Sequence, residues 1–232
     1  MDNSEDLTSK INELLKIKEK DGFLEQSWDN WINSILGSPS ISIKDTIENE
    51  LNNVTYDRFY NEWVKNFSLN LDHIWNGHSA RELMPNNMSD NASSIVIGRG
   101  PSLLKNNHLQ LLEKSNYVDS VVCSDGALST VLENNINPEK FKDFFVVTID
   151  AQTHQKEIYE KEIVKKFGKK IKCILSTTVS PSTYESVIDA GMEVYWLHTL
   201  FDYDKGKSSF NYISGIMSKS KNHKKGLPAI QT

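Results

Sequence analysis

Apolar positions change their rhythm near residue 94, and the change divides the chain. Before it they recur at helical spacing, three and four residues apart. Leu7, Ile11, Leu14 and Leu15 mark one helix, ending before Asp21-Gly22. Trp28, Trp31, Ile32, Ile35 and Leu36 mark a second, with Ser27 as N-cap and Gly37 as its stop. Ser38-Pro39-Ser40 is a break, and Ile43, Ile47 and Leu51 make a thinner third helix. Thr55 then caps a fourth, whose Tyr56, Phe59, Tyr60, Trp63, Val64 and Phe67 form an aromatic stripe. That spacing belongs to one buried helix face, so the stripe reads as core rather than as a stacking platform. Residues 86–94 are polar and turn-rich. They mark a boundary between a helical N-terminal subdomain over 1–90 and a second domain over 91–232.

Beyond the boundary, short apolar runs alternate with helix-like runs. Strands are expected over 95–98, 120–124, 144–150, 171–177 and 193–197. Helices are expected over 103–114, 127–134, 153–167 and 181–190. Such alternation predicts an α/β domain built on a doubly wound, mostly parallel, Rossmann-like sheet. Ligands of such sheets bind outside the carboxyl ends of the strands, so the residues after each strand are the ones to inspect.

The first strand, Ile95-Val96-Ile97, runs into Gly98-Arg99-Gly100-Pro101-Ser102. Gly98 and Gly100 permit positive φ and close approach of another group. Pro101 suits the first position of a helix, where its missing N–H costs nothing. A helix N-terminus behind a strand is a ready phosphate site, and Arg99 adds a charge-assisted donor. After the second strand comes Ser124-Asp125-Gly126, and the third ends in Thr148-Ile149-Asp150. Asp125 and Asp150 on neighbouring strand ends suit Mg²⁺, a hard cation that shares oxygen ligands with substrate phosphates. A dinucleotide fingerprint is excluded, because Leu103 stands at its third glycine and Pro101 intrudes. No Gly-Lys-Ser/Thr ending is present, so this is no Walker A loop. His198, at the end of the fifth strand, reads as a structural histidine. Lys219, Lys221, Lys224 and Lys225 read as a mobile basic loop.

Composition narrows the picture further. The net charge of −5 argues against non-specific nucleic-acid binding. No apolar run approaches the roughly 18 residues of a membrane span, and the acidic start is no signal peptide, so the expected compartment is the cytoplasm. Cys123 and Cys173 lie inside strand-like runs and are expected to be buried thiols, not a disulfide or zinc site.

Three segments carry a resemblance. Gly98-Arg99-Gly100-Pro101-Ser102-Leu103, Cys123-Ser124-Asp125-Gly126-Ala127-Leu128, and Asn137-Pro138 followed by Val146-Val147-Thr148-Ile149-Asp150 resemble the archaeal 6-hydroxymethyl-7,8-dihydropterin diphosphokinase family. The ordered set is also similar to thiamine pyrophosphokinases. The glycine element recurs in bacterial proteins associated with flagellin glycosylation and in some sialyltransferases. The resemblance covers residues 90–200 well and the helical segment more loosely. It implies Mg²⁺-dependent transfer of a diphosphate from ATP to a hydroxymethyldihydropterin, serving methanopterin- or folate-type carriers. Asp125 and Asp150 would hold the metal, and Gly98, Arg99, Gly100, Pro101, Ser102 and Gly126 the nucleotide. The partners implied are small molecules, with no nucleic acid and no membrane, and a homodimer stays open. Relatives of this kind continue past the Gly226–Thr232 stretch with a glycine-rich turn and another strand, so the chain reads as breaking off inside that motif. A nucleotide-sugar glycosyltransferase and a non-catalytic nucleotide-binding module are the alternatives.

Overall fold

The computed structural model describes residues 43–84, 92–200 and 229–231. The expected helices around Leu7 and Trp28 and the lysine run lie outside them. The chain divides into two units, Met1–Asp57 and Arg58–Thr232. The expected helices on either side of Thr55 are one continuous helix, α1 (Ile43–Asn76), so Thr55 sits inside it and caps nothing. From Arg58 onward its apolar residues enter the core: Phe67 and Ile74 are buried and Val64 packs against them. Gly77 ends it tightly, since a Cβ there would lie 2.6 Å from the His73 carbonyl oxygen and 2.7 Å from Trp196 Nε1.

The second unit is α/β, a parallel sheet with helices packed against it. Its strands are β1 (His78–Ser79), β2 (Ser94–Ile97), β3 (Ser120–Ser124), β4 (Phe144–Thr148), β5 (Lys172–Ser176), β6 (Glu193–Leu200) and β7 (Ala229–Gln231). Strands β2 to β6 lie side by side in chain order, and every pairing is parallel. Strand β1, from the segment ahead of the expected boundary, flanks β6 with His78 opposite Tyr195 and Ser79 opposite Trp196. Strand β7 pairs with β6 from His198 onward.

Strand alternation sends Ile97, Val121, Cys123, Phe144, Val146, Cys173, Leu175 and Trp196 into the core. The residues between them, such as Val122, Phe145, Val147 and Ile174, are half-buried. The helices are α2 (Ser102–Lys105), α3 (His108–Lys114), α4 (Asp125–Glu133), α5 (Lys156–Tyr159), α6 (Glu162–Phe167) and α7 (Pro181–Asp189). Helix α4 buries Ala127, Leu128, Val131 and Leu132. Where one helix is expected over 103–114, Asn107 takes a left-handed conformation (φ 55) and splits it into α2 and α3. The helix expected over 153–167 is a 3₁₀ turn (Thr153–Gln155), then α5, then α6, with extended backbone at Lys161 between the last two.

Candidate active site

Because β2, β3 and β4 are neighbouring parallel strands, the segments that follow them emerge at one edge. Gly98–Pro101 joins β2 to α2, Asp125 opens α4, and Asp150 lies two residues past β4. Two expectations for the glycine turn are corrected. Neither Gly98 nor Gly100 has positive φ, so backbone strain is not the reason for glycine. At Gly98 a Cβ would meet nothing within 4 Å, and the open space itself is what glycine leaves there. Pro101 takes the N-cap position rather than the first helical one (φ −58, ψ −29), and α2 behind it spans only four residues. The turn therefore has one helical turn behind it, not a long helix dipole.

Four of the sequence-predicted residues come together. The Arg99 side chain lies across Gly126: a Cβ at Gly126 would sit 2.6 Å from Arg99 Cδ. Arg99 and Asp150 both act electrostatically on Asp125. Burial is the main influence on Asp125 and pushes its carboxyl up, with Asp150 adding to it. The Gly126 N–H, donating to Oδ1 at 2.6 Å, the Thr148 hydroxyl and Arg99 pull the other way. Asp150 is exposed and braces its own loop. Its Oδ1 accepts from the Gln152 N–H at 2.9 Å and its Oδ2 from Gln155 Nε2 at 2.8 Å. A carboxylate has about four lone-pair sites, so these bonds leave Asp150 able to accept more.

Among the described residues no group of three or more His, Cys, Asp or Glu side chains is placed to hold a metal. The donor set still fits Mg²⁺. Two carboxylates, one of them desolvated, disfavour each other's charge, and Mg²⁺ takes its other ligands from water and phosphate oxygens.

Several residues at this edge carry no sequence signal. Asn66 Nδ2 on α1 donates to the carbonyls of Ala151 and Thr178, both at 3.0 Å. Asn70 Nδ2 donates to the Val179 carbonyl at 2.8 Å and the Thr177 carbonyl at 3.4 Å. Both asparagines are buried, and they clamp the loops that follow β4 and β5. His198 is buried, with Nδ1 2.8 Å from Thr177 Oγ1 and its ring edge-on to Phe67 at 5.9 Å, as a structural histidine would be. Beneath Asp125, Thr148 Oγ1 is hydrogen-bonded to the Tyr159 hydroxyl, which lies 3.7 Å from Cys173 Sγ. Cys123 and Cys173 are free and buried.

The class so defined is a parallel α/β protein with a glycine turn, an arginine and two carboxylates at the carboxyl edge of its sheet. Residues 65–221 match the model of the 6-hydroxymethylpterin diphosphokinase MptE-like family. That is more than half of the chain, and the chain belongs to this family. No curated protein and no solved structure matches. No helix among the described residues is long and apolar enough to cross a membrane.

Proposed function

We propose that the protein transfers a diphosphate from ATP to the hydroxymethyl group of 6-hydroxymethyl-7,8-dihydropterin, releasing AMP. The observation that carries this reading is the convergence of Arg99, Asp125 and Asp150 beside the open glycine turn. The family's name supports it. The pterin hydroxyl oxygen attacks the β-phosphorus, the bond from that phosphorus to the α,β-bridging oxygen breaks, and AMP leaves carrying that oxygen. The hydroxyl proton passes to solvent. Asp125 and Asp150 would hold Mg²⁺, which when bound neutralises charge on the phosphate oxygens. Arg99 offers a permanently charged planar donor to a phosphate. Gly98 leaves the backbone approachable because no Cβ fills the space beside it. The product would feed synthesis of methanopterin- or folate-type carriers.

The test is to incubate the protein with ATP, Mg²⁺ and hydroxymethyldihydropterin and follow AMP. AMP should form only with the pterin present, and Asp125→Asn and Asp150→Asn should each abolish it without altering the circular dichroism spectrum. Absence of AMP from the wild type, or undiminished AMP from Asp125→Asn, overturns the reading.

A further inference from the structure

The hydrogen-bond chain beneath Asp125 has a direction, and the direction follows from counting protons. An ionised carboxylate only accepts. The Thr148 hydroxyl that faces Asp125 must therefore donate its single proton to it. With that proton used, the Thr148 oxygen can only accept, so in the pair Thr148 Oγ1–Tyr159 OH the phenol is the donor. The phenol oxygen is then left as acceptor, and Cys173 Sγ–H points at it from 3.7 Å. Every hydrogen in the series Cys173, Tyr159, Thr148, Asp125 runs the same way and ends on the carboxylate. Thr148, Tyr159 and Cys173 are all fully buried, so no water competes for these bonds. Burial also holds the Tyr159 phenol and the Cys173 thiol protonated as donors.

The placement is specific to this site. Thr148 is the last residue of β4, and Tyr159 the last residue of α5, two turns of chain beyond Asp150. One hydroxyl pair therefore ties the end of β4 to the helix that follows the Asp150 loop, directly under the other carboxylate. We propose that Thr148 and Tyr159 are positioning residues that fix the rotamer and charge of Asp125 for the metal–nucleotide complex. This rests on the reading of Asp125 as a metal-binding carboxylate. Outer partners of metal ligands are worth about 10–100-fold in affinity.

The experiment measures binding of Mn²⁺ with α,β-methylene-ATP, which cannot release AMP, by water-proton relaxation. It uses the whole chain and the variants Asp125→Asn, Thr148→Val, Thr148→Ser and Tyr159→Phe. Val187→Ala, a buried change in α7 away from the chain of hydroxyls, controls for stability. Thr148→Val should weaken binding about tenfold or more, Tyr159→Phe should weaken it less, and Thr148→Ser should restore it. Val187→Ala should bind as the wild type does. If Asp125→Asn loses binding while Thr148→Val and Tyr159→Phe keep it, the positioning role is wrong and the metal role of Asp125 stands. If Thr148→Ser binds no better than Thr148→Val, or Val187→Ala is weakened as much as Tyr159→Phe, the effect is structural and the inference fails. A wild type that binds nothing, or an Asp125→Asn that binds equally well, removes the metal role itself and this inference with it.

Discussion

Replacing Asn66 by alanine tests how α1 holds the candidate site. The Asn66 carboxamide is 5% exposed and gives its two hydrogens to the Ala151 and Thr178 carbonyls. In the alanine variant both carbonyl oxygens lose their donor inside the protein. An unmet buried acceptor costs about 1–3 kcal/mol. The pair would lose about 2–6 kcal/mol, and a water entering the vacated space offsets part of that, leaving about 3 kcal/mol. For a chain of this size each kcal/mol moves Tm by roughly 2–4 °C, so Tm should fall by about 6–12 °C. Urea unfolding should show a lower midpoint with an unchanged slope. Asn66→Asp is the sharper variant. It keeps the shape, removes both donors and sets a carboxylate against two carbonyl oxygens, so it should cost more than alanine. Ala151 adjoins Asp150, so both variants should also slow AMP formation. A loss under about 0.5 kcal/mol, the range of plain surface changes, would refute the clamp. So would an aspartate variant as stable as the wild type.

Other outcomes follow from close contacts and buried thiols. Gly168→Ala should destabilise by at least about 2–3 kcal/mol in urea unfolding, because its Cβ would lie 1.7 Å from the Ala190 carbonyl oxygen, which is backbone and cannot swing aside. Gly126→Ala meets only the flexible Arg99 side chain, so Tm should hold while Arg99 is displaced and ATP affinity drops several-fold in calorimetry. Burial pushes the Cys123 thiol from its ordinary 9.0 up to about 12, with Asp125 adding to the effect, and burial pushes Cys173 up as well. The folded chain thus keeps protons that the unfolded chain loses. Stability is full below pH 9 and falls as pH rises from there toward 12, by about 1.4 kcal/mol per pH unit for each thiol. Urea midpoints at pH 8, 9 and 10 check this, and a flat profile would contradict it.

Strands β3 to β6 were legible because each is a short run of β-branched and aromatic residues, which few other elements tolerate. The helix over 181–190 was legible because Ser180-Pro181 opens it, and α7 begins at Pro181. Strand β1 was not legible: two residues, His78 and Ser79, have no periodicity and are strand only because Tyr195 and Trp196 pair with them. The breaks in the helices were hidden because they depend on single backbone conformations, the positive φ at Asn107 and the extended Lys161. At the candidate site, glycine turn and carboxylates stand out by type and by place after a strand. Asn66 and Asn70 do not, since asparagine on a helix reads as solvent-facing until two loops close over it. Thr148 and Tyr159 are invisible for the same reason: eleven positions apart, they meet only through tertiary structure.

The pairing of β1 with β6 sets an order of events on the ribosome. Strands β2 to β6 each add beside the strand made just before, so the sheet can grow as the chain emerges. Helix α1 and β1 are made first but seated last. Their partners, the loops after β4 and β5 and the strand β6, are synthesised about a hundred residues later. At roughly 5–20 residues per second that is a wait of about 5–20 seconds. During it the face bearing Val64, Phe67 and Ile74 has nothing of its own chain to cover it. A nascent chain with this strand order presents its first helix to chaperones for the whole time the sheet is being laid down, and completing β6 ends that exposure.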